Sequence, residues 1–207
     1  MNRVLDRALI EEKKLISIIS EFDNYKKDLF VQDFGNSAIL LTKINNFTNK
    51  RKKTLKTLNK YNAYQYFEIQ NIDLSAPITH EDNVYLSIIF KLLEGPSLII
   101  INDLMTWLSK NRRILIMEFI KENDMCLINL ISNIEEALYT KYVIVLNASN
   151  EIEISGDLMD VLKEEKILSR LGFALPFYYD LSLQLNYYDV LDKIYMDKKA
   201  LEGAIWK

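Results

Sequence analysis

The chain has 207 residues, 49% of them hydrophobic and 27% charged, with a formal net charge of −3. That length suits one domain with at most a small appendage, and the composition supports a substantial core in a soluble protein. The weak acidity gives no overall nucleic-acid field. No apolar run approaches the roughly 20 residues of a membrane span, and the charged start MNRVLDRALIEEKK lacks the apolar core of a signal peptide, so a cytoplasmic protein is expected.

In chain order, residues Leu5–Phe22 carry a partial helical stripe (Leu5, Leu9, Ile10, Leu15, Ile16, Ile18, Ile19) and read as helical or mixed. Asp28–Asp33 reads as a strand. Gly35 is a turn with Asn36 and Ser37 as candidate caps, and Ala38–Phe47 reads as a helix with Ile39, Leu40, Leu41 and Ile44 inward. A basic patch follows, Lys50-Arg51-Lys52-Lys53 with Lys56 and Lys60. It reads as a solvated flank, with contact to anionic lipid or nucleic acid as the alternative. Tyr66–Ile69 is expected to be a strand. Glu81–Leu93 is helical and ends at Gly95-Pro96.

Leu98–Ile101 is a continuous apolar run, as expected of a strand buried on both faces of a parallel sheet. The spacing then predicts a helix over Ser109–Asn123, a strand over Met125–Ile131, a short helix over Asn133–Thr140 capped by Asn133, and a strand over Tyr142–Leu146. Ile152–Ile154 alternates like a hairpin arm. Beyond Gly156 short helices are expected at Leu158–Leu162, Glu164–Leu171, Leu181–Leu191 and Lys198–Trp206. Alternating strands and helices at this spacing predict an α/β fold around a parallel sheet.

Side chains that carry chemistry are sparse. The only cysteine, Cys126, lies in the apolar stretch CLINLI and reads as a buried hydrophobe, which excludes an internal disulfide. The only histidine, His80, stands beside Glu81 and Asp82 and reads as a solvated helix-start residue rather than a metal ligand. Five glycines occur, at 35, 95, 156, 172 and 203, and no GxxxxGK[ST] or GxGxxG exists. A phosphate cradle needs several glycines, because its backbone N–H groups curl around the anion in conformations closed to other residues.

Three stretches in order, SLIIINDL, NLISNIEEAL and KYVIVLNASNEIEISGD, resemble the second half of an ABC-transporter ATPase. They stand where that family has a strand ending in Asp-Glu-Pro, a Thr-His-Asp followed by a helix, and a strand-turn-strand closing on Gly. The tail, with Gly156, Leu171-Gly172-Phe173 and Pro176, is similar to energy-coupling-factor ATPases. The resemblance implies an α/β, parallel-sheet core like a truncated P-loop (ABC) ATPase domain over residues 1–156. It also implies a mostly helical C-terminal extension over 157–207.

The same resemblance places a degenerate nucleotide site. Its phosphate loop would fall at Gly35-Asn36-Ser37-Ala38, with Asn36 for the phosphate-binding Lys. Gln70 would be the glutamine-loop residue. Asn102 would replace the magnesium-binding Asp, and Asp103 the general-base Glu, one methylene short. Leu104 would replace the Pro, Leu108-Ser109 would be the inter-subunit loop, and Ser132 would replace the switch His. The helical subdomain with its glycine-rich signature is largely missing, or its position falls at Ile78–Asp82 with no glycine left.

These losses imply a pseudo-ATPase with no cofactor and no metal. It would be a structural or regulatory partner in a membrane transport assembly, bound to an active ABC ATPase paralogue, a transmembrane subunit or both, at the inner face of the membrane. Leu181, Leu185, Tyr187, Tyr188 and Trp206 are the candidate partner-binding residues. The alternative is a soluble small-molecule or nucleotide-binding module around Asp103, with Ser37, Asn102 and Ser132 converging on it at the carboxyl ends of the strands.

Overall fold

The computed structural model describes residues 5, 7–20, 37–47, 51–69, 72–73, 77–149 and 151–206. The expected strand Asp28–Asp33, together with Gly35, Asn36 and Gln70, lies outside the described residues. The elements are α1 (Arg7–Lys13), β1 (Leu15–Ile19), β2 (Ala38–Leu41), α2 (Arg51–Lys60), α3 (His80–Leu92), β3 (Leu98–Asn102) and α4 (Lys110–Glu122). They continue with β4 (Cys126–Ile131), β5 (Tyr142–Leu146), β6 (Ile152–Asp157), α5 (Leu158–Lys163), α6 (Glu165–Arg170), α7 (Phe177–Tyr187) and α8 (Lys198–Ile205). Short 3-10 turns occupy Ala63–Gln65, Met105–Trp107 and Ile134–Tyr139.

The six strands form one sheet in the order β2-β3-β4-β1-β5-β6, so the fold is mixed α/β around a mostly parallel sheet. β1, β2, β3, β4 and β5 pair in parallel, and β6 closes the edge antiparallel to β5. β1 lies inside the sheet between β4 and β5, in register from Leu15 opposite Leu127 to Ile19 opposite Ile131. All five of its residues are buried, as are all six of β4. Each fully buried Ile or Leu contributes about 1.5–3 kcal/mol, and strands covered on both faces read as near-continuous apolar runs, here interrupted only by Ser17 and Asn129.

Two expectations change here. Ala38–Phe47 is not a helix: AILL forms the edge strand β2, paired with β3 from Ala38 opposite Leu98 to Leu41 opposite Ile101. Four consecutive apolar residues suit either period, and β-sheet partners decide. Within Leu5–Phe22, read as helical or mixed, Arg7–Lys13 is helix and Leu15–Ile19 is strand, because a β-branched run fits the doubly covered centre of a sheet. Tyr66–Ile69 forms no strand. Phe67 and Ile69 instead bury in the core beside Tyr85 and Phe119.

The faces divide cleanly. Ile16, Ile18, Ile100, Ile128, Leu130 and Ile144 form one cluster with Leu5 and Ile10 of the N-terminal segment. On the opposite face Ile99, Ile101 and Leu127 pack with α3 and α4, and with Leu58 of α2. Further along that face Ile19, Ile131, Val143 and Val145 pack with Val161, Leu162, Leu168 and Tyr179 from α5, α6 and α7. Thr79 caps α3 by accepting from Asp82 N, with Glu81 and Asp82 favourable in the first turn.

Candidate functional site at the carboxyl edge of the sheet

In an open parallel sheet, ligands bind outside the carboxyl ends of the strands, where successive connections leave in opposite directions. Here that place is the end of β1: the chain leaves β1 for the edge strand β2, returns through β3 and β4, and then crosses to β5. The residues at this edge are Ser20, Asn102, Asp103 and Ser132, followed by the turns Met105–Trp107 and Ile134–Tyr139.

Asp103 is left-handed (φ 48°), a conformation that Asp tolerates better than most residues. Its N–H donates to Leu130 O at 2.9 Å, continuing the β3–β4 ladder by one step. Its carboxylate turns sideways onto the next loop. Oδ1 accepts from Ser132 N at 3.1 Å and from Ser132 Oγ at 3.3 Å. Thr106 Oγ1 donates to Asp103 O at 2.6 Å, closing the turn. Leu104 points into the core, and Ser20 N donates to Ile131 O at 3.3 Å.

Below this layer stands a buried ion pair that residue spacing did not reveal. One guanidinium nitrogen of Arg113 (α4) reaches both oxygens of Glu136, at 2.8 and 2.9 Å. Arg113 also donates from Nε to Leu108 O at 2.7 Å and from Nη2 to Thr106 O at 3.1 Å, and lies 4.9 Å over the Tyr139 ring. Burial pushes the Glu136 carboxyl above its ordinary range, although the Arg113 guanidinium pulls the other way. Glu135 of the same turn accepts from Phe177 N at 3.1 Å, which ties the loop after β4 to the start of α7.

Polar atoms also enter the sheet itself. Ser17 of β1 accepts from Thr140 Oγ1 at 2.7 Å. Asn129, beside Ser17 in the register, is buried with no partner for Oδ1, and Asn102 Oδ1 is likewise buried and unpartnered. The single polar residues in LISII and CLINLI were the available signal for this cluster.

Of the residues expected to converge, Asn102, Asp103 and Ser132 do so; Ser37 and Ala38 do not. Ser37 O accepts from Ser97 N at the amino end of β3, while Asn102 ends that strand. A five-residue strand separates the two by roughly 13 Å. The cause is the position of β1: the switch point lies at its carboxyl end, by Ser20, whereas Ser37 stands just before the edge strand β2. Ser109 has its N–H on Glu81 Oε1 at 2.9 Å. Glu81 and Asp82 pair with Arg112 at 3.2 and 2.5 Å, so the acids of Ile78–Asp82 serve helix packing. His80 stacks edge-on against Trp107 with centroids 4.7 Å apart. Among the described residues no cluster of three metal-ligating side chains occurs.

The C-terminal candidates divide into two sets. Leu181 and Leu185 are partly buried. Tyr187, Tyr188 and Trp206 are 81%, 74% and 84% exposed. Cavities lined by described residues lie in this half of the chain, including one of about 310 Å³ beyond β5, between Leu146–Ala148 and Ser169–Gly172.

No family model matches the chain, and no curated protein matches it. Among solved structures it is similar to the ATP-binding subunit of an ABC transporter, with 12% identity and a TM-score of 0.48 over 66% of this chain and 67% of that one. It is also similar to a bacterial Atm1-family ABC exporter with ATP bound, with 9% identity and a TM-score of 0.45 over 77% of this chain and 28% of that one. At such scores and identities neither likeness bears on chemistry.

Proposed function

We propose that the chain is a catalytically inactive ABC ATPase-like subunit, a structural or regulatory partner in a membrane transport complex. It would be held at the inner face of the membrane by an active ABC ATPase, a transmembrane subunit or both. The observation that carries this reading is the use of Asp103. The carboxylate that the resemblance would put in the general-base position accepts two hydrogen bonds from Ser132, which it would put in the switch-histidine position, so both groups serve to lock the loops after β3 and β4 together.

Magnesium ATP does not fit the residues present. Asn102 offers a neutral amide with its oxygen buried, a poor substitute for a carboxylate on a hard cation. The sequence holds no GxxxxGK[ST], the run whose backbone N–H groups and Lys cradle phosphates. The packing of Leu104 into the core, beside a carboxylate already occupied, speaks against a small-molecule site centred on Asp103. The exposed Tyr187, Tyr188 and Trp206 are the aromatic type that anchors protein interfaces.

The test combines two assays. The purified chain with magnesium ATP should release phosphate at the buffer rate. A tagged chain taken from detergent-solubilised native membranes should bring down an ABC ATPase and a membrane protein in stoichiometric amount, and lose them on Tyr187→Ala with Trp206→Ala. Turnover by the pure chain, or recovery of the chain alone from the soluble fraction, would end the proposal.

A further inference from the structure

The segment Lys50–Lys60 holds six basic residues and no acidic one, in a chain whose net charge is −3. In the fold, its residues from 51 onward form α2. Thr54 and Leu58 are buried and Leu55 packs against the core, so the apolar side of the helix is fully used. Lys52, Lys53, Lys56 and Lys60 are exposed. Lys52, Lys56 and Lys60 fall in one row at four-residue spacing, about 6 Å apart along the axis. Among the described residues none of these lysines forms an ion pair, and the described partner of Lys60 is Tyr61, over whose ring its Nζ lies at 4.9 Å. Other exposed lysines also stand without a carboxylate among the described residues, as Lys121 and Lys166 do, but singly; what sets α2 apart is that four of them share one short helix that carries no acidic residue. A helix that gathers four exposed cations and no carboxylate in an acidic protein fits an anionic surface that neutralises them from outside.

We propose that the lysine row of α2, with Tyr61 and Tyr66 at its end, is a contact for the anionic headgroups of a membrane surface. The rings of Tyr61 and Tyr66 are 41% and 43% exposed, and tyrosine sits well at headgroup depth, with an apolar ring and a polar tip. Because the apolar side of α2 is buried, the contact works by charge and not by insertion, so it is reversible and salt-sensitive. A lipid surface is favoured over nucleic acid because the chain as a whole is acidic, with a pI of about 5.4, whereas nucleic-acid-binding domains carry a pI above about 9. The contact does not rest on the ATPase-like reading, since it needs only the charges and their geometry.

The test is flotation of the purified chain with vesicles of phosphatidylserine in phosphatidylcholine, against vesicles of phosphatidylcholine alone. The chain should float only with the anionic vesicles and be released near 1 M salt, where the screening length falls to about 3 Å. Each neutralised lysine should weaken partitioning about fivefold. The variant K52Q/K53Q/K56Q/K60Q, which keeps good helix formers, should therefore lose binding by more than about a hundredfold. The charge-matched variant K121Q/K141Q/K166Q/K199Q should keep it. Equal flotation on neutral vesicles, equal loss in the two variants, or displacement from the vesicles by a short oligonucleotide would each overturn the proposal. The neutral-vesicle, salt and oligonucleotide arms use the unaltered chain and do not depend on how a variant folds.

Discussion

Arg113→Met strands Glu136. The carboxylate is 7% exposed, and both of its oxygens lie within 2.9 Å of one Arg113 nitrogen. Removing one partner of a buried pair costs about 3–5 kcal/mol, because the charge left behind has lost water and gained nothing. For a domain of this size, about 4 kcal/mol corresponds to a fall in Tm of roughly 8–16 °C. Glu136 already has a raised pKa in the folded protein, so folding favours its protonated form. The resulting stability is fully present below the unfolded carboxylate pKa and is lost as pH rises through the folded one. Without Arg113 the folded pKa climbs further and that window widens upward. Urea unfolding followed by circular dichroism should show the variant weakened by about 4 kcal/mol near pH 8, with part of the loss recovered near pH 5. Adding Glu136→Leu should restore stability to within about 1–2 kcal/mol of the parent at both pH values. A loss under about 1 kcal/mol, or one identical at both pH values, would show that the pair does not hold the two loops.

Four further outcomes follow from the geometry. Thr140→Val should cost about 1–3 kcal/mol in chemical denaturation, since Ser17 stays buried without its donor, and Ser17→Ala in the same chain should add less than its own single cost. Asp103→Asn should stay within about 1 kcal/mol of the parent, because it keeps an acceptor for Ser132 and tolerates the left-handed backbone. Asp103→Ala loses both and should cost about 2–4 kcal/mol by the same assay. Asn102→Asp should leave phosphate release from magnesium ATP at the buffer rate, since one carboxylate does not supply the GxxxxGK[ST] run that the sequence lacks. Trp206→Ala should shift the unfolding free energy by no more than about 0.5 kcal/mol, as expected of an exposed side chain.

The second half of the sheet was legible in the sequence because each element announced itself twice. Leu98–Ile101 is an unbroken apolar run, Cys126–Ile131 is apolar but for Asn129, and the helix between them has a polar start and a helical stripe. Asn133 was readable as a cap and does accept from Glu135 N. The first half was not legible in this way. LISII and AILL are too short for periodicity to separate strand from helix. What makes them strands is their neighbours β4, β5 and β3, which are distant in sequence. Missing β1 had a further consequence. With the central strand unrecognised, the glycine nearest an apolar run, Gly35, drew the phosphate-loop assignment to the edge strand, whose start lies at the opposite end of the sheet. The convergence of Asn102, Asp103 and Ser132 was readable because they close the two strands that the sequence did define. The partner of Glu136 was not readable, because Arg113 is set against it by the packing of α4 and by no spacing rule.

Apart from Asn102, whose amide oxygen is buried without a partner, the polar groups described at the carboxyl edge are spent on the fold. Asp103 holds Ser132, and Arg113 holds Glu136 together with the carbonyls of Thr106 and Leu108. Glu135 then carries the connection to the N-terminus of α7. A site that turns over a ligand needs groups whose hydrogen-bonding capacity is free in the resting state and whose loops can close. Here the loops after β3 and β4 are bonded to each other through a charged pair whose breakage would leave a carboxylate buried. That argues for one rigid unit running from the sheet edge to α7, which α7 leaves at the exposed Tyr187 and Tyr188. Such an arrangement suits a protein that presents a fixed surface to a partner. It also predicts that Arg113→Met, which touches no exposed aromatic residue, weakens capture of that partner as well as the fold, whereas Trp206→Ala weakens capture alone.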